Sequence, residues 1–272
     1  MPAAKAALLH ETLGWLLRQE TVDVDAVGSA LGIFVWACSV RREVLSALSA
    51  CFLFVDKLRG RRARWWPSAW AELNMARDLI PLLYASLGAP LCDLVGATDA
   101  MGAEDGGDYG GFGVVAAAVP HEVALEALSV GVQPVRLARP DRPDLALRGG
   151  RAARSKPSSQ VPRALDEADW RPICSGRWKA ADHITLGEAR AALVLLRLLS
   201  ALPAALGCRF LSLEDNMAVA GAWRKGRSSS YGLNRLLKRR AAMTLATGIV
   251  MTLPWIDTLR MPADGLSRLC PM

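Results

Sequence analysis

Residues 209 to 223 read Arg-Phe-Leu-Ser-Leu-Glu-Asp-Asn-Met-Ala-Val-Ala-Gly-Ala-Trp. Leu211 and Leu213 alternate on one face of a short strand, Asp215 lies at its carboxyl end, and a small-residue helix follows at once. Open α/β sheets bind their ligands beyond the carboxyl ends of their strands, so a carboxylate there is placed to do chemistry. Three further acids have comparable settings. Asp99 closes the apolar run that begins at Asp93, Glu188 sits in the first turn of the helix from Leu186, and Asp264 lies within Met-Pro-Ala-Asp-Gly-Leu-Ser-Arg at 261–268. Four acids delivered by four separated segments are what a two-metal site requires. Three of them also have a structural reading that needs no chemistry. Asp215 can cap the helix at Asn216, Asp264 suits a helix N-terminus beside Pro262, and Thr185-Leu-Gly-Glu188 has the form of a capping box.

Other kinds of site have less material. Cys38, Cys51, Cys92, Cys174, Cys208 and Cys270 form no Cys-x-x-Cys pair, so reduced and mostly buried thiols are expected rather than a disulfide framework or a zinc site. The histidines are His10, His121 and His183, too few for a histidine-rich metal site and poor material for a Ser-His-Asp triad. Oxygen ligands remain, and hard oxygens favour Mg²⁺ or Mn²⁺. The net charge of +7 is concentrated in two clusters. Lys57, Arg59, Arg61, Arg62 and Arg64 form the first; Arg224, Lys225, Arg227, Arg235, Lys238, Arg239 and Arg240 form the second. Patches of this kind are either solvated surface or grips for a polyanion, and beside an acidic metal site the second reading gains weight.

The elements that must position these acids are set by the periodicity. Residues 1–90 read as helices: Ala7 to Leu17, Val27 to Ala37, Arg41 to Val55 with Val44, Leu45, Leu48, Phe52 and Val55 on one face, and Pro67 to Leu87. The period then changes. Leu94 to Asp99 and Gly110 to Val119 are strand-like and are joined by an acidic, glycine-rich hairpin loop at 103–111. Prolines and arginines interleaved over about 120–169 suggest a mobile basic insertion, with limited proteolysis expected between Arg136 and Arg163. Trp170 to Ala180 supplies a third strand, Leu186 to Leu202 a helix, Arg209 to Asp215 a fourth strand and Asn216 to Trp223 a short helix. A basic helix through Arg240 comes next, then a fifth strand at Ile249 to Trp255 and a terminal helix at Pro262 to Leu269. The uncharged runs Ala26 to Val40 and Ala241 to Ile256 fall short of the roughly 18 apolar residues that span a bilayer. With no signal-like leader at the N-terminus, a cytosolic or nuclear protein without a membrane segment is expected.

Six short motifs together resemble a known family. They are Thr98-Asp-Ala100 followed by Gly111-Phe-Gly-Val-Val115, His183-Ile-Thr-Leu-Gly-Glu-Ala189, Leu213-Glu-Asp-Asn-Met217, Lys225-Gly-Arg-Ser-Ser-Ser230 and Pro262-Ala-Asp-Gly-Leu-Ser-Arg268. In this order they resemble the ribonuclease H-like domain of retroelement reverse transcriptases, retrotransposon polyproteins in particular, over residues 91–272 with the basic insertion inside it. Residues 1–90, with Trp36, Arg41-Arg-Glu43 and Trp70-Ala-Glu-Leu73, are similar to the helical thumb or connection region that precedes such domains. The resemblance implies an α/β fold with a five-stranded mixed sheet ordered 3-2-1-4-5 and flanked by helices. It implies a metal-dependent endoribonuclease that cleaves the RNA strand of an RNA–DNA hybrid. Asp99, Glu188, Asp215 and Asp264 would then be both the catalytic set and the ligands of two Mg²⁺ or Mn²⁺ ions. Lys225, Arg227, Ser228, Arg235, Lys238 and Arg239 would contact the nucleic acid, and the 2′-hydroxyl would mark the RNA strand. The chain departs from the family at Met261, where a polar residue is common, and it contains no Tyr-x-Asp-Asp motif. A polymerase active site is therefore absent from it, and a polymerase domain would be a separate partner. A catalytically silent nucleic-acid-binding remnant of the same fold, and a transposase- or integrase-like DNA nuclease, stay open as alternatives.

Overall fold

The computed structural model describes residues 1–102, 109–131 and 161–268. They gather into two compact units: Met1–Ala89 with Ser200–Gly207 and Gly221–Ile249, and Pro90–Leu199 with Cys208–Ala220 and Val250–Met272.

The first unit begins with helices whose apolar faces meet in one core. α1 (Ala3–Leu17), α2 (Val24–Ala37), α3 (Ser49–Leu58) and α4 (Pro67–Leu79) bury Leu13, Val27, Phe34, Cys51, Phe54 and Leu73 against one another. The single helix expected from Arg41 to Val55 is instead a 3-10 segment, Arg42–Ala47, followed by α3. The cause is a new helix start: the Glu72 carboxylate accepts from the N–H groups of Ala50 and Cys51 at 2.6 and 3.0 Å. Those are orphan donors of a first turn, and an acid there also suits the helix dipole. The break rotates the buried face, so Cys51 and Phe54 are buried while Phe52 and Val55 are only half-buried. Helix α4 stops before the expected Leu87, with the 3-10 segment Ile80–Leu82 after it, because Pro81 has no N–H to continue the ladder. The unit is also not wholly helical. Strands β1 (Thr21–Asp23) and β2 (Arg62–Arg64) pair antiparallel, with Val22 opposite Ala63.

The second unit is a five-stranded mixed sheet flanked by helices. Its strands are β3 (Leu91–Met101), β4 (Gly111–Ala118), β5 (Arg171–Arg177), β6 (Arg209–Leu213) and β7 (Val250–Thr252). The helices of this unit are α5 (His121–Gly131) after β4, α6 (Ile184–Ser200) after β5 and α9 (Asp264–Arg268). Helix α7 (Met217–Lys225), after β6, begins in this unit and ends in the first, to which α8 (Tyr231–Thr247) belongs. The order across the sheet is β5-β4-β3-β6-β7, or 3-2-1-4-5 counted along the chain. Antiparallel pairing joins β3 to β4 and β4 to β5, while β6 runs parallel to both β3 and β7. Within the stretch expected to be an irregular insertion, residues 121–131 are helix and Arg163–Leu165 is a 3-10 turn. Residues 132–160 of that stretch, and with them most of the range from Arg136 to Arg163 in which proteolysis is expected, lie outside the described residues, as does most of the expected hairpin loop.

Both faces of the inner strands β4, β3 and β6 are covered, which is why these read as largely apolar runs, whereas the edge strand β5 is mostly exposed. On one face Val95, Ala97, Val115, Ala117, Leu211 and Leu213 pack with Ala124 and Ala127 of α5 and with Met261 and Ala263. On the other, α6 lies so close that a Cβ on Gly96 would meet Leu195 Cδ2 at 2.6 Å. Gly113 plays the same part under α9: an added Cβ would lie 2.7 Å from the Ser267 N and 3.0 Å from the Ala263 O. Backbone cannot yield as a flexible side chain can. Gly113→Ala is therefore expected to cost about 1–3 kcal/mol in urea denaturation; a variant within about 0.5 kcal/mol of the parent would show that α9 is free to move.

In the first unit, α8 is held by polar contacts as well as by apolar packing. Asn234 donates from Nδ2 to the Ser46 carbonyl at 2.8 Å and to Ser49 Oγ at 2.9 Å, and its Oδ1 accepts from the Ser228 N–H at 3.0 Å. Lys238 Nζ lies 3.4 Å from Glu72 Oε1. Among the described residues no helix is long and apolar enough to cross a membrane.

Candidate metal centre

Strands β3 and β6 are parallel neighbours, with Ala97 beside Leu213, so their carboxyl ends emerge at the same edge of the sheet. Asp99 stands near the end of β3, and Asp215 comes one residue beyond Glu214 at the end of β6. Glu188 comes from the second turn of α6, over the other face. One carboxylate oxygen from each of Asp99, Glu188 and Asp215 falls within 4.8 Å of the others. Asp99 and Glu188 are buried, at 5% and 4% exposure, and Asp215 is half-buried.

Each carboxylate is oriented by a neighbour. Asp99 Oδ2 accepts a short hydrogen bond from Ser267 Oγ on α9. Glu188 accepts from the backbone N–H of Ala100. Asp215 accepts from the Thr258 hydroxyl, and Trp255 Nε1 donates to the Asp215 carbonyl at 2.7 Å. The capping roles that the sequence allows these acids have other occupants. The first turn of α7 is capped by Asn216, whose Oδ1 accepts from Ala218 N and Val219 N at 3.0 and 3.2 Å. The Thr185 N–H that a capping box involving Glu188 would use as its reciprocal donor goes to His183 Nδ1 at 3.2 Å.

Like charges in a dry pocket resist ionisation. Burial pushes the Asp99 carboxyl up to about 6; the Ser267 hydroxyl and Arg268 act against this, while Asp215 and Asp264 add to it. Glu188 is raised further, first by burial and then by the charges of Glu214, Asp99 and Asp215. Burial also raises Asp215, with the Thr258 hydroxyl opposing it and Asp264 and Asp257 reinforcing it.

Asp264 is not one of the three convergent acids. Its Oδ1 accepts from Arg268 Nε and NH2 at 3.1 and 2.8 Å, and its side chain is 36% exposed. Its charge nevertheless reaches both Asp99 and Asp215. Glu214, which its sequence setting does not single out, also adjoins the cluster, its charge acting on Glu188. It is fully buried and raised well above the ordinary carboxylate range, by burial first, against the opposing hydrogen bond from the Asn216 N–H, and then by the charges of Asp215 and Asp99. Its signal in the sequence is the alternation Leu-Ser-Leu-Glu, which puts Ser212 and Glu214 on the face opposite Leu211 and Leu213. Two polar residues on one strand face look like a solvent face until α6 is known to cover it.

The residues expected to contact nucleic acid lie in the first unit. Arg235, Lys238 and Arg239 form one exposed stripe along α8 at helical spacing, with Lys238 paired to Glu72. Lys225 is exposed at the end of α7, and the Arg227 guanidinium lies 5.0 Å from the centre of the Phe52 ring. Ser228 is half-buried, its Oγ accepting from the Ser230 N–H at 3.2 Å. Arg240, part of the same basic run, is no surface cation. It is buried against the Trp223 ring, at 4.4 Å, and burial lowers it to about 10.

No protein-family model matches the chain, and no curated protein matches it. Among solved structures it is similar to a foamy virus protease-reverse transcriptase in complex with an RNA/DNA hybrid, with 9% identity and a TM-score of 0.24 over 91% of this chain. The chain spans about half of that protein, 47% of its length, and a likeness of this strength carries no argument about fold or activity.

Proposed function

We propose that the second unit is a metal-dependent nuclease of ribonuclease H-like design that cleaves the RNA strand of an RNA–DNA hybrid. The observation that carries the reading is the meeting of Asp99, Glu188 and Asp215, from three separated segments, within 4.8 Å. The strand order and the placing of the acids at the carboxyl ends of parallel neighbours support it.

The donor set fits divalent cations. It is made of hard carboxylate oxygens, and the buried Glu188 Oε2 has no hydrogen-bond partner. Every carboxylate there is held above its ordinary pKa by burial and by its neighbours, a repulsion that bound positive charge relieves. Two Mg²⁺ or Mn²⁺ ions held by Asp99, Glu188, Asp215 and, at the rim, Asp264 would supply an activated water as nucleophile and a charge partner for the leaving 3′ oxygen. The chain's own residues do the positioning. Ser267 fixes Asp99, the Ala100 N–H fixes Glu188, and Thr258 fixes Asp215, so the ligand oxygens keep their spacing without rearrangement at the moment of reaction. The exposed cations of α8 and the α7 terminus, Arg235, Lys238, Arg239 and Lys225, with Arg227 and Ser228 beside them, bind backbone phosphates in this reading. Such contacts hold the substrate without reading sequence.

One observation favours the catalytically silent alternative: Asp264 is paired with Arg268 rather than gathered with the other three. A substrate panel separates the readings. With Mg²⁺ present, end-labelled RNA should be cut in an RNA–DNA hybrid and left intact as a single strand, and duplex DNA of the same sequence should survive. Cutting of duplex DNA would favour an integrase-like nuclease, and binding of the hybrid without cutting would favour the silent remnant.

A further inference from the structure

Glu214 stands beside the three convergent acids without being one of them, and its contacts give it a task. Its backbone is fixed on both sides: the N–H donates to the Pro254 carbonyl at 3.2 Å, and its carbonyl accepts from the Ile256 N–H at 3.0 Å. Its side chain turns forward along the chain, where Oε1 accepts from the Asn216 N–H at 3.2 Å. That bond passes over Asp215 and closes a small ring around it. The second oxygen, Oε2, is buried and has no hydrogen-bond partner. Helix capping does not explain the bond, because Asn216 Oδ1 already serves Ala218 and Val219. Keeping a carboxylate fully buried to hold one loop peptide costs desolvation that a surface residue would avoid.

We propose that Glu214 is a positioning residue: by holding the Asn216 N–H it fixes the peptide after Asp215 and so aims the Asp215 carboxylate at Asp99 and Glu188. The inference rests on the metal reading above, and it concerns the geometry of the acceptor rather than the state of its proton. Residues next to a ligand that orient it typically change metal affinity by about 10–100-fold when removed.

The test is Mn²⁺ binding by the full chain, with free Mn²⁺ read from its electron paramagnetic resonance signal. Glu214→Ala should weaken binding about tenfold or more, and Glu214→Gln, which keeps an acceptor oxygen for Asn216, should stay within about threefold of the parent. Glu214→Leu gives the same reading as Glu214→Ala without leaving a cavity, in case the smaller side chain does not fold. Asn216→Ala loses the cap but keeps the N–H, so it should lower the melting temperature and leave Mn²⁺ affinity within about threefold. Parental affinity in both Glu214→Ala and Glu214→Leu would overturn the proposal. So would equal weakening in Glu214→Gln, which would show that charge is what matters, or equal weakening in Asn216→Ala, which would trace the effect to the helix. If the parent itself binds no Mn²⁺, the metal reading fails, a result distinct from any of these.

Discussion

Glu188→Gln is expected to leave the protein folded and to lower Mg²⁺-dependent hybrid cleavage by a factor on the order of 10² or more. The amide keeps an oxygen for the Ala100 N–H and nearly the same volume, so the packing of α6 on the sheet is undisturbed. What it removes is a carboxyl that can ionise to bind a cation, and with it a ligand; burial and the neighbouring acids push that carboxyl up to about 10, so without metal it is already neutral at pH 7. Without metal at neutral pH, the variant should therefore be within about 0.5 kcal/mol of the parent in stability. A structural role for Glu188 demands the opposite pattern, with stability falling and cleavage unchanged. Hybrid binding at low salt should also survive, because the phosphate-binding cations proposed on α8 are untouched. Cleavage at the parental rate would remove Glu188 from the site.

The second large effect is on stability. Asp99 is raised from 3.8 to about 6 in the folded protein, so between those values the folded state keeps a proton that the unfolded chain has lost. A raised carboxyl stabilises the fold below its unfolded pKa, and that contribution is lost as pH rises through the folded value. For Asp99 alone the loss amounts to roughly 2–3 kcal/mol between about pH 4 and pH 6.5; Glu188, Glu214 and Asp215 are shifted in the same direction. Metal-free protein should thus melt at lower temperature at pH 7.5 than at pH 5. Mg²⁺ at about a hundred times its dissociation constant should return about 2.7 kcal/mol at pH 7.5, a rise of roughly 5–10 °C, and much less at pH 4.5 where protons occupy the same oxygens. Differential scanning calorimetry in EDTA and in Mg²⁺ at three pH values checks this. An equal Mg²⁺ shift at pH 4.5 and pH 7.5 would mean that the ion binds elsewhere.

Much of the sheet unit is legible from periodicity. The alternation around Leu211 and Leu213 and the apolar run ending at Asp99 mark β6 and β3, and the long stripe from Leu186 marks α6. These elements are long enough, or regular enough, for local pattern to decide them. Short elements are not. β1 and β2 have three residues each, too few for an alternation to register, and they are far apart along the chain, Thr21 pairing with Arg64. The break between Ala47 and α3 is invisible for a related reason, since it depends on Glu72, a residue of a different helix. In the site, Asp99, Glu188 and Asp215 can be named because each stands at the end of a recognisable element. Glu214 cannot, because its importance comes from being covered by α6 and from bonding across Asp215, which are facts of packing rather than of pattern. Asp264 shows the converse. Its motif is plain, but a neighbour one turn along α9, Arg268, takes its carboxylate at 2.8 Å.

If this acidic cluster cuts RNA by means of bound divalent ions, the cleavage rate of the RNA strand of a hybrid must follow the Mg²⁺ concentration. No cleavage is expected in EDTA, the rate should climb more steeply than the first power of Mg²⁺ at low concentration because two ions must be present, and Asp99→Asn and Asp215→Asn should lose the activity. Cleavage that persists in EDTA, or that survives in both variants, would contradict it, as would a folded, hybrid-binding protein that cuts nothing at any Mg²⁺ concentration.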